Sequence, residues 1–274
     1  MEFLQPPAWR EALEARAAHP DALPIWGGTD VMVELNFARK RPAALLDLTN
    51  VPELSRWHAE DGGVRIGAGV TYARIIRELG ERLPGLAMAS RTVGSPQIRN
   101  RGTIGGNLGS SSPAGDALPP LYAVGAVVEL ASVRGERRVP IDDFIVGPKR
   151  NVLADDELIA GVWVPERAGA AQQFAKVGTR NAMVIAVCSF AVDVSDGRVG
   201  TCIGSAGPTP IRAREAEAFA AGLDRLSEDD AAHFGDLVAS AASPIDDVRG
   251  TAAYRRHALS VLARRTLTWA WEAR

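Results

Sequence analysis

The chain has 274 residues, room for one or two domains with a sizeable core, and its 46% apolar and 23% charged content is that of an ordinary globular protein. Its 31 Lys and Arg against 33 Asp and Glu leave a net charge of −2, which supplies no whole-protein electrostatic drive toward nucleic acid or an anionic membrane. No apolar run reaches bilayer length, Met1–Pro7 lacks the basic and apolar regions of a secretion signal, and two cysteines are too few for an iron–sulfur cluster held by four thiolates, so a cytoplasmic protein without a membrane span is expected.

In chain order, the spacing of Trp9, Leu13 and Ala17 predicts an amphipathic helix over 8–18. Leu23–Trp26 and Ala44–Leu48 read as short apolar strands, so residues 1–53 form a small α/β lobe. From residue 54 the pattern changes. Gly62-Gly63 predicts a hairpin turn before a strand over 64–66, and Thr71 predicts an N-cap for a helix over 72–79. Another helix is expected over 86–93. A helix starting at Asp116 tolerates Pro119 and Pro120 in its first turn. Strands over 126–131, 137–139 and 158–164 complete a sheet-rich lobe of residues 54–167.

Ala168-Gly169-Ala170-Ala171 reads as a hinge into a third lobe, residues 168–274. Strands are expected there over 174–177, 184–194 and 199–205, with Asp196-Gly197 as a hairpin signal. Helices follow over 212–221, after the capping-box pattern Ser227-Glu228-Asp229-Asp230, and over 251–271 with Tyr254, Ala258, Val261 and Leu262 on one face. The fold class is α+β. Cys188 and Cys202 read as buried thiols acting as small hydrophobes, and the four histidines show no metal-ligand spacing.

The chemistry concentrates in two glycine turns. Gly27-Gly28-Thr29-Asp30 breaks the Leu23–Trp26 strand without opening a G-x-G-x-x-G or P-loop helix. The run Arg99-Asn100-Arg101-Gly102-Thr103-Ile104-Gly105-Gly106-Asn107-Leu108-Gly109, followed by Ser112-Pro113-Ala114-Gly115-Asp116, combines glycines with hydroxyls, an amide and a carboxylate. Such turns let backbone approach a ligand closely and expose N–H groups to an anion, while the polar side chains fix orientation. No Ser–His–Asp arrangement and no metal triad is visible, so no catalytic residue and no metal ligand is assigned.

These two motifs, with Phe144-Ile145-Val146-Gly147, Glu157-Leu158-Ile159 and Lys176-Val177-Gly178-Thr179-Arg180, resemble the FAD-binding medium subunit of molybdenum hydroxylases, the family of the carbon monoxide dehydrogenase flavoprotein subunit and the xanthine dehydrogenase flavin domain. The resemblance covers nearly the whole chain. It implies FAD as cofactor, with the pyrophosphate on the backbone of Gly27, Gly28, Thr29, Asp30 and Val31 and the Asp30 carboxylate turned away. It implies contacts from Thr103, Gly106, Asn107 and Ser110, with Asp116 accepting from cofactor hydroxyls. Leu108 and Gly109 would border the ring, Ile159 would help hold the adenine or ring, and Lys176 would tune the flavin's potential. It further implies partners: a large subunit with the molybdenum cofactor and a small subunit with [2Fe–2S] clusters, arranged as a dimer of heterotrimers. The chain departs from the pattern at Thr29-Asp30, where many relatives carry His-Ser, and at Pro148–Asn151, where many carry Tyr and Thr. A stand-alone flavin oxidase or reductase and a flavin-free scaffold subunit are the alternatives the residues leave open.

Overall fold

The structure is a computed structural model that describes residues 1–195 and 197–274. It is a mixed helix-and-sheet fold, as the sequence predicts. The first sheet has three parallel strands, β1 (Glu2–Leu4), β2 (Leu23–Ile25) and β3 (Ala44–Asp47), in the order β1-β3-β2. Helix α1 (Trp9–Ala18) joins β1 to β2, and α2 (Val31–Asn36) joins β2 to β3. The fully buried central strand β3 opens with the apolar run Ala44-Leu45-Leu46, as parallel strands covered on both faces do, and ends on Asp47, whose carboxylate accepts from Gln5 and Thr49. Neither β1 nor α2 is predicted from the sequence: β1 is three residues, mostly exposed, and carries no alternation, and α2 is six residues with no buried position.

The second sheet is antiparallel. A 3₁₀ turn (Pro52–Ser55) leads into β4 (Trp57–Glu60), which pairs with β5 (Gly63–Gly67) through a two-residue turn at Asp61 (φ 47°) and Gly62 (φ 73°). Both central residues lie in the left-handed region, the geometry that matches strand twist in a tight hairpin. Helices α3 (Tyr72–Glu78), α4 (Pro84–Thr92), α5 (Pro96–Arg101), α6 (Ile104–Ser110) and α7 (Leu118–Val124) follow. Next come β6 (Val127–Ser132), β7 (Gly135–Pro140), α8 (Ile141–Phe144), the short pair β8 (Ile145–Gly147) and β9 (Arg150–Asn151), and β10 (Leu158–Pro165). The sheet order is β4-β5-β10-β6-β7. Thr71 caps α3 as expected, its hydroxyl accepting from Arg74 N.

The third sheet is β11 (Ala171–Val177), β12 (Cys188–Ser195) and β13 (Arg198–Gly204), packed on α9 (Arg214–Ala221), α10 (Glu228–Ala241) and α11 (Ala252–Ala273). The strand expected over 184–194 begins only at Cys188, because its partner β11 ends at the Val177–Cys188 pair. Asp196 of the expected Asp196-Gly197 hairpin lies outside the described residues. The Ser227–Asp230 capping box of α10 forms in full. On α11 the buried stripe is Arg255, Leu259, Ala263, Thr266, Leu267 and Ala270, with Ala258 beside it; Tyr254 is half-exposed, which corrects the expected face.

Two large apolar clusters result, one under the first two sheets and one between the third sheet and its helices. Helix α7 is buried along its whole length and touches β10, β12 and β13, so it joins the two. Among the described residues, no helix is long and apolar enough to cross a membrane.

Candidate functional site

The second glycine motif is not a loop. Ser95 caps α5 and Thr103 caps α6, so the run folds as two short helices with Gly102-Thr103 between them. The hydroxyl of Thr103 accepts from Gly106 N at 3.0 Å, while Ile104 N and Gly105 N donate to the carbonyls of Val70 and Ala68. Gly105 is required by packing, since a Cβ there would meet the Ala68 Cβ at 2.5 Å. The first amides of α6 are thus spent on the protein itself.

The first turn is the opposite case. Among the described residues, none of the backbone N–H groups of Gly27, Gly28, Thr29, Asp30 and Val31 donates a hydrogen bond. Gly28 sits at φ +73°, a left-handed conformation that glycine adopts readily, in a turn whose consecutive amides remain free to meet an anion. The turn is held against the second motif. A Cβ on Gly27 would strike the Arg101 carbonyl, and Asp30 Oδ2 accepts from Ser110 Oγ at 2.6 Å. The Asp30 carboxylate, expected to turn away from a phosphate, is directed to Ser110 and caps nothing locally.

One face of α6 carries almost no side chain. Gly106 and Gly109 are exposed, and Asn107 and Ser110 flank them half-buried. A Cβ on Gly106 would meet only Thr103 Oγ1 at 3.1 Å, and one on Gly109 only Ile159 Cδ1 at 3.7 Å. Packing within the chain gives little reason for either glycine, and a flat group lying on this face would. Ile159, at the bulge of β10, borders the same face. Leu108 points the other way, fully buried in the core, so its side chain does not reach the face.

Two buried acceptors lack partners here. Asn107 Oδ1 and Asp116 Oδ1 make no hydrogen bond. Buried acceptors without donors are costly, and a hydroxyl-rich ligand relieves the cost. The other Asp116 oxygen, Oδ2, accepts from Lys176 Nζ at 2.6 Å and from Thr92 Oγ1 at 3.2 Å. Burial pushes the Asp116 carboxyl up from its ordinary value, and Lys176 opposes the shift.

Contacts run from the first glycine turn to the second motif and on to Ile159, and the second motif lies beside Gly115 and Asp116, outlining one candidate cradle. Gly27–Val31, Gly106, Asn107, Ser110, Asp116 and Ile159 border it. Thr103 is buried as a helix cap, and Lys176 stands behind Asp116. Sequence reasoning missed Thr92 and Tyr72. The buried Tyr72 ring lies against Gly102, and burial, then the charges of Asp116 and Asp30, push its hydroxyl well above its ordinary range. Neither residue stands in a glycine motif, so no local signal marks it. Arg180, the last residue of the Lys176–Arg180 motif, is exposed and donates to the Met183 carbonyl.

These residues fit FAD: free amides for a pyrophosphate, unpartnered acceptors for hydroxyls and a bare face for a ring. Residues 1–167 match the family described as the FAD binding domain in molybdopterin dehydrogenase, and residues 173–270 match the CO dehydrogenase flavoprotein C-terminal domain. The nicotine 6-hydroxylase medium subunit of Paenarthrobacter nicotinovorans is 33% identical over 97% of this chain and 96% of that protein. The putative xanthine dehydrogenase FAD-binding subunit of Escherichia coli (strain K12) is 30% identical over 94% and 91%. Among solved structures, carbon monoxide dehydrogenase from Hydrogenophaga pseudoflava has a chain matching at a TM-score of 0.91, 28% identical, over 100% of this chain and 98% of its own. Quinoline 2-oxidoreductase from Pseudomonas putida 86 matches at 0.93, 26% identical, over 99% and 97%.

Proposed function

Because the chain belongs to the FAD-binding medium subunits of the molybdenum hydroxylase family, we propose that it is the electron-transfer subunit of a heteromeric oxidoreductase, taking electrons from [2Fe–2S] clusters on a small subunit and passing them to an external acceptor. The large subunit would carry the molybdenum cofactor, with the assembly a dimer of heterotrimers in the cytoplasm. When bound, FAD supplies redox chemistry in both one- and two-electron steps.

This chain's own residues bind and orient. The free amides of Gly27–Val31 would donate hydrogen bonds to the pyrophosphate. Asn107 Oδ1 and Asp116 Oδ1 accept from hydroxyls and fix their register. The Gly106–Gly109 face and Ile159 would offer a ring a surface with little side chain in the way. Ser110 holds Asp30, and with it the first turn, in place. The single observation that carries the reading is the run of five amides without an acceptor in the chain, in a turn tied through Asp30 and Ser110 to a helix with two exposed glycines.

The test is the visible spectrum of the chain purified with its co-expressed partner subunits, and the mass of the released chromophore. About one FAD per chain is expected, with Gly28→Asp and Asn107→Ala each lowering it. Unchanged flavin content in both variants would place the cofactor elsewhere.

A further inference from the structure

We propose that α2 and the hairpin beside it form the surface on which this subunit meets its external electron acceptor, and that the acceptor is a small carrier protein with an acidic face around an apolar centre. The inference rests on the reading of the chain as an electron-transfer subunit.

Helix α2 is apolar and unpartnered. It holds no buried residue, and Met32, Val33 and Phe37, which caps its end, are 45%, 45% and 69% exposed. Val33 and Phe37 stand four apart and so share a side of the turn. Single exposed apolar residues are ordinary; three large ones on one short segment form a patch.

The rim of the patch is cationic. Residues 30–41 and the β8–β9 hairpin at 148–151 hold Arg39, Lys40, Arg41, Lys149 and Arg150 against Asp30 and Glu34. Both acids are engaged: Asp30 accepts from Ser110, and Glu34 accepts from Lys149 Nζ at 3.0 Å. The Lys149 hydrogen bond, with the charges of Arg39 and Lys40 beyond it, holds the Glu34 carboxyl below its ordinary value, so several cations crowd one acid. Arg39, Lys40, Arg41 and Arg150 are exposed. Arg39 Cζ lies 5.2 Å from the centroid of the Phe37 ring, which joins charge and apolar surface into one face. The whole chain carries −2, so this positive charge is local.

This composition selects the occupant. A cationic rim attracts an acidic protein, repels a basic one and speeds encounter in a salt-dependent way. A permanent subunit interface takes about 20–30 residues a side and sheds lysine. Three apolar side chains inside a rim with Lys40 and Lys149 match instead the small, short-lived contacts of redox carriers. They bury too little apolar area to hold a membrane surface by themselves. The place fits as well. Helix α2 continues directly from the first glycine turn, and Lys149 N donates to the Ser111 carbonyl just past α6. A carrier seated here lies beside the cradle without entering it. Two carrier molecules would discharge a two-electron-reduced flavin, each taking one electron, while the two protons leave to solvent.

The experiment uses the holoenzyme purified with its partner subunits and, as probe, an acidic plant-type [2Fe–2S] ferredoxin. Binding is titrated at low and at high salt. Pre-reduced ferredoxin is then mixed with the oxidised flavin, which times electron transfer across the same contact in its downhill direction. Wild type is expected to bind at low salt and to lose affinity as salt rises. Lys40→Glu with Arg41→Glu should weaken binding and slow transfer about tenfold or more. Phe37→Ser should weaken binding while keeping the salt dependence. Flavin content, melting temperature and flavin reduction by reduced methyl viologen, which needs no docking, should match wild type in each variant. Arg256→Glu, at an exposed cation on α11, should change none of these readings. A wild type that does not bind ferredoxin, patch variants that bind it as wild type does, or an equal loss in Arg256→Glu would overturn the proposal. Loss of the small subunit from the purified patch variants would assign the patch to a permanent interface, and charge-dependent binding of the holoenzyme to phosphatidylglycerol vesicles would assign it to a membrane; either would overturn the proposal too. A preparation that carries no FAD would overturn the electron-transfer reading itself, and the inference with it.

Discussion

Ser110 donates its hydroxyl proton to Asp30 at 2.6 Å, a hydrogen bond that spans 80 residues and ties the first glycine turn to α6. Neither side chain belongs to a large packed contact. The bond fixes the turn that carries the free amides of residues 27–31 against α6. Asp30→Ala is expected to cost no more than about 1 kcal/mol of stability, as a partly solvated hydrogen bond does, while lowering FAD affinity by a larger factor than that loss implies. Parallel melts and FAD titrations measure the two; equal changes would show that the contact is only structural.

The glycines of the site divide into two kinds. At Gly27 a Cβ would run into the Arg101 carbonyl, which is backbone and cannot move aside. Gly27→Ala should destabilise the fold by about 1–3 kcal/mol, the range for forced overpacking, and a lowered melting temperature checks it.

Gly106 is the other kind. Its Cβ would meet only the Thr103 hydroxyl at 3.1 Å, and the residue lies inside a helix. Gly106→Ala should leave apo stability unchanged or raise it by up to about 1 kcal/mol, the helix-propensity gain. FAD binding should nevertheless fall, because the added methyl occupies the bare face. Flavin content and melting temperature moving in opposite directions would be the signature, and moving together would refute it.

Glu78 sets an acid limit on stability. The Arg74 guanidinium, and then Trp57 Nε1 and Arg77, hydrogen-bond its carboxylate and lower its pKa from 4.5 to about 2. A depressed folded-state value stabilises the fold above the unfolded value and ceases to do so as pH falls through the folded one. Glu78→Gln should therefore be less stable than wild type above about pH 5. The gap should close as pH falls from 4.5 toward 2. Urea melts across this range test the sign.

Both cysteines should be silent in the native state. Burial pushes the Cys188 thiol up to about 12 and the Cys202 thiol well above its ordinary value. The thiolate is the reactive form, so a thiol reagent at pH 8 should label the chain only on unfolding. Rapid labelling of the folded chain would contradict the burial.

Much of this molecule is legible in the linear sequence because its signals are local. The Ser227–Asp230 capping box, the Thr71 cap, the Gly62 turn and the apolar runs of β3, β6 and β10 act within a few residues of themselves, and the structure keeps each. The glycine motifs mark the site for the same reason: their spacing is a property of the chain. The sequence does not reveal that the second motif is helical. Its glycines disfavour helix, and only the Thr103 cap and the Val70 and Ala68 carbonyls outweigh them. Nor does it reveal which amides are left free, because Gly105 N and Gly27 N look alike until their partners are placed. The short elements β1 and α2 exist only through β3 and the turn at Gly28. The pairing of Asp116 with Lys176 is likewise decided by the packing of α4 and α7 against β11. Periodicity and turn chemistry wrote the elements and the place of the site into the sequence; the satisfaction of buried polar groups, which depends on residues far apart in the chain, was decided by the tertiary structure alone.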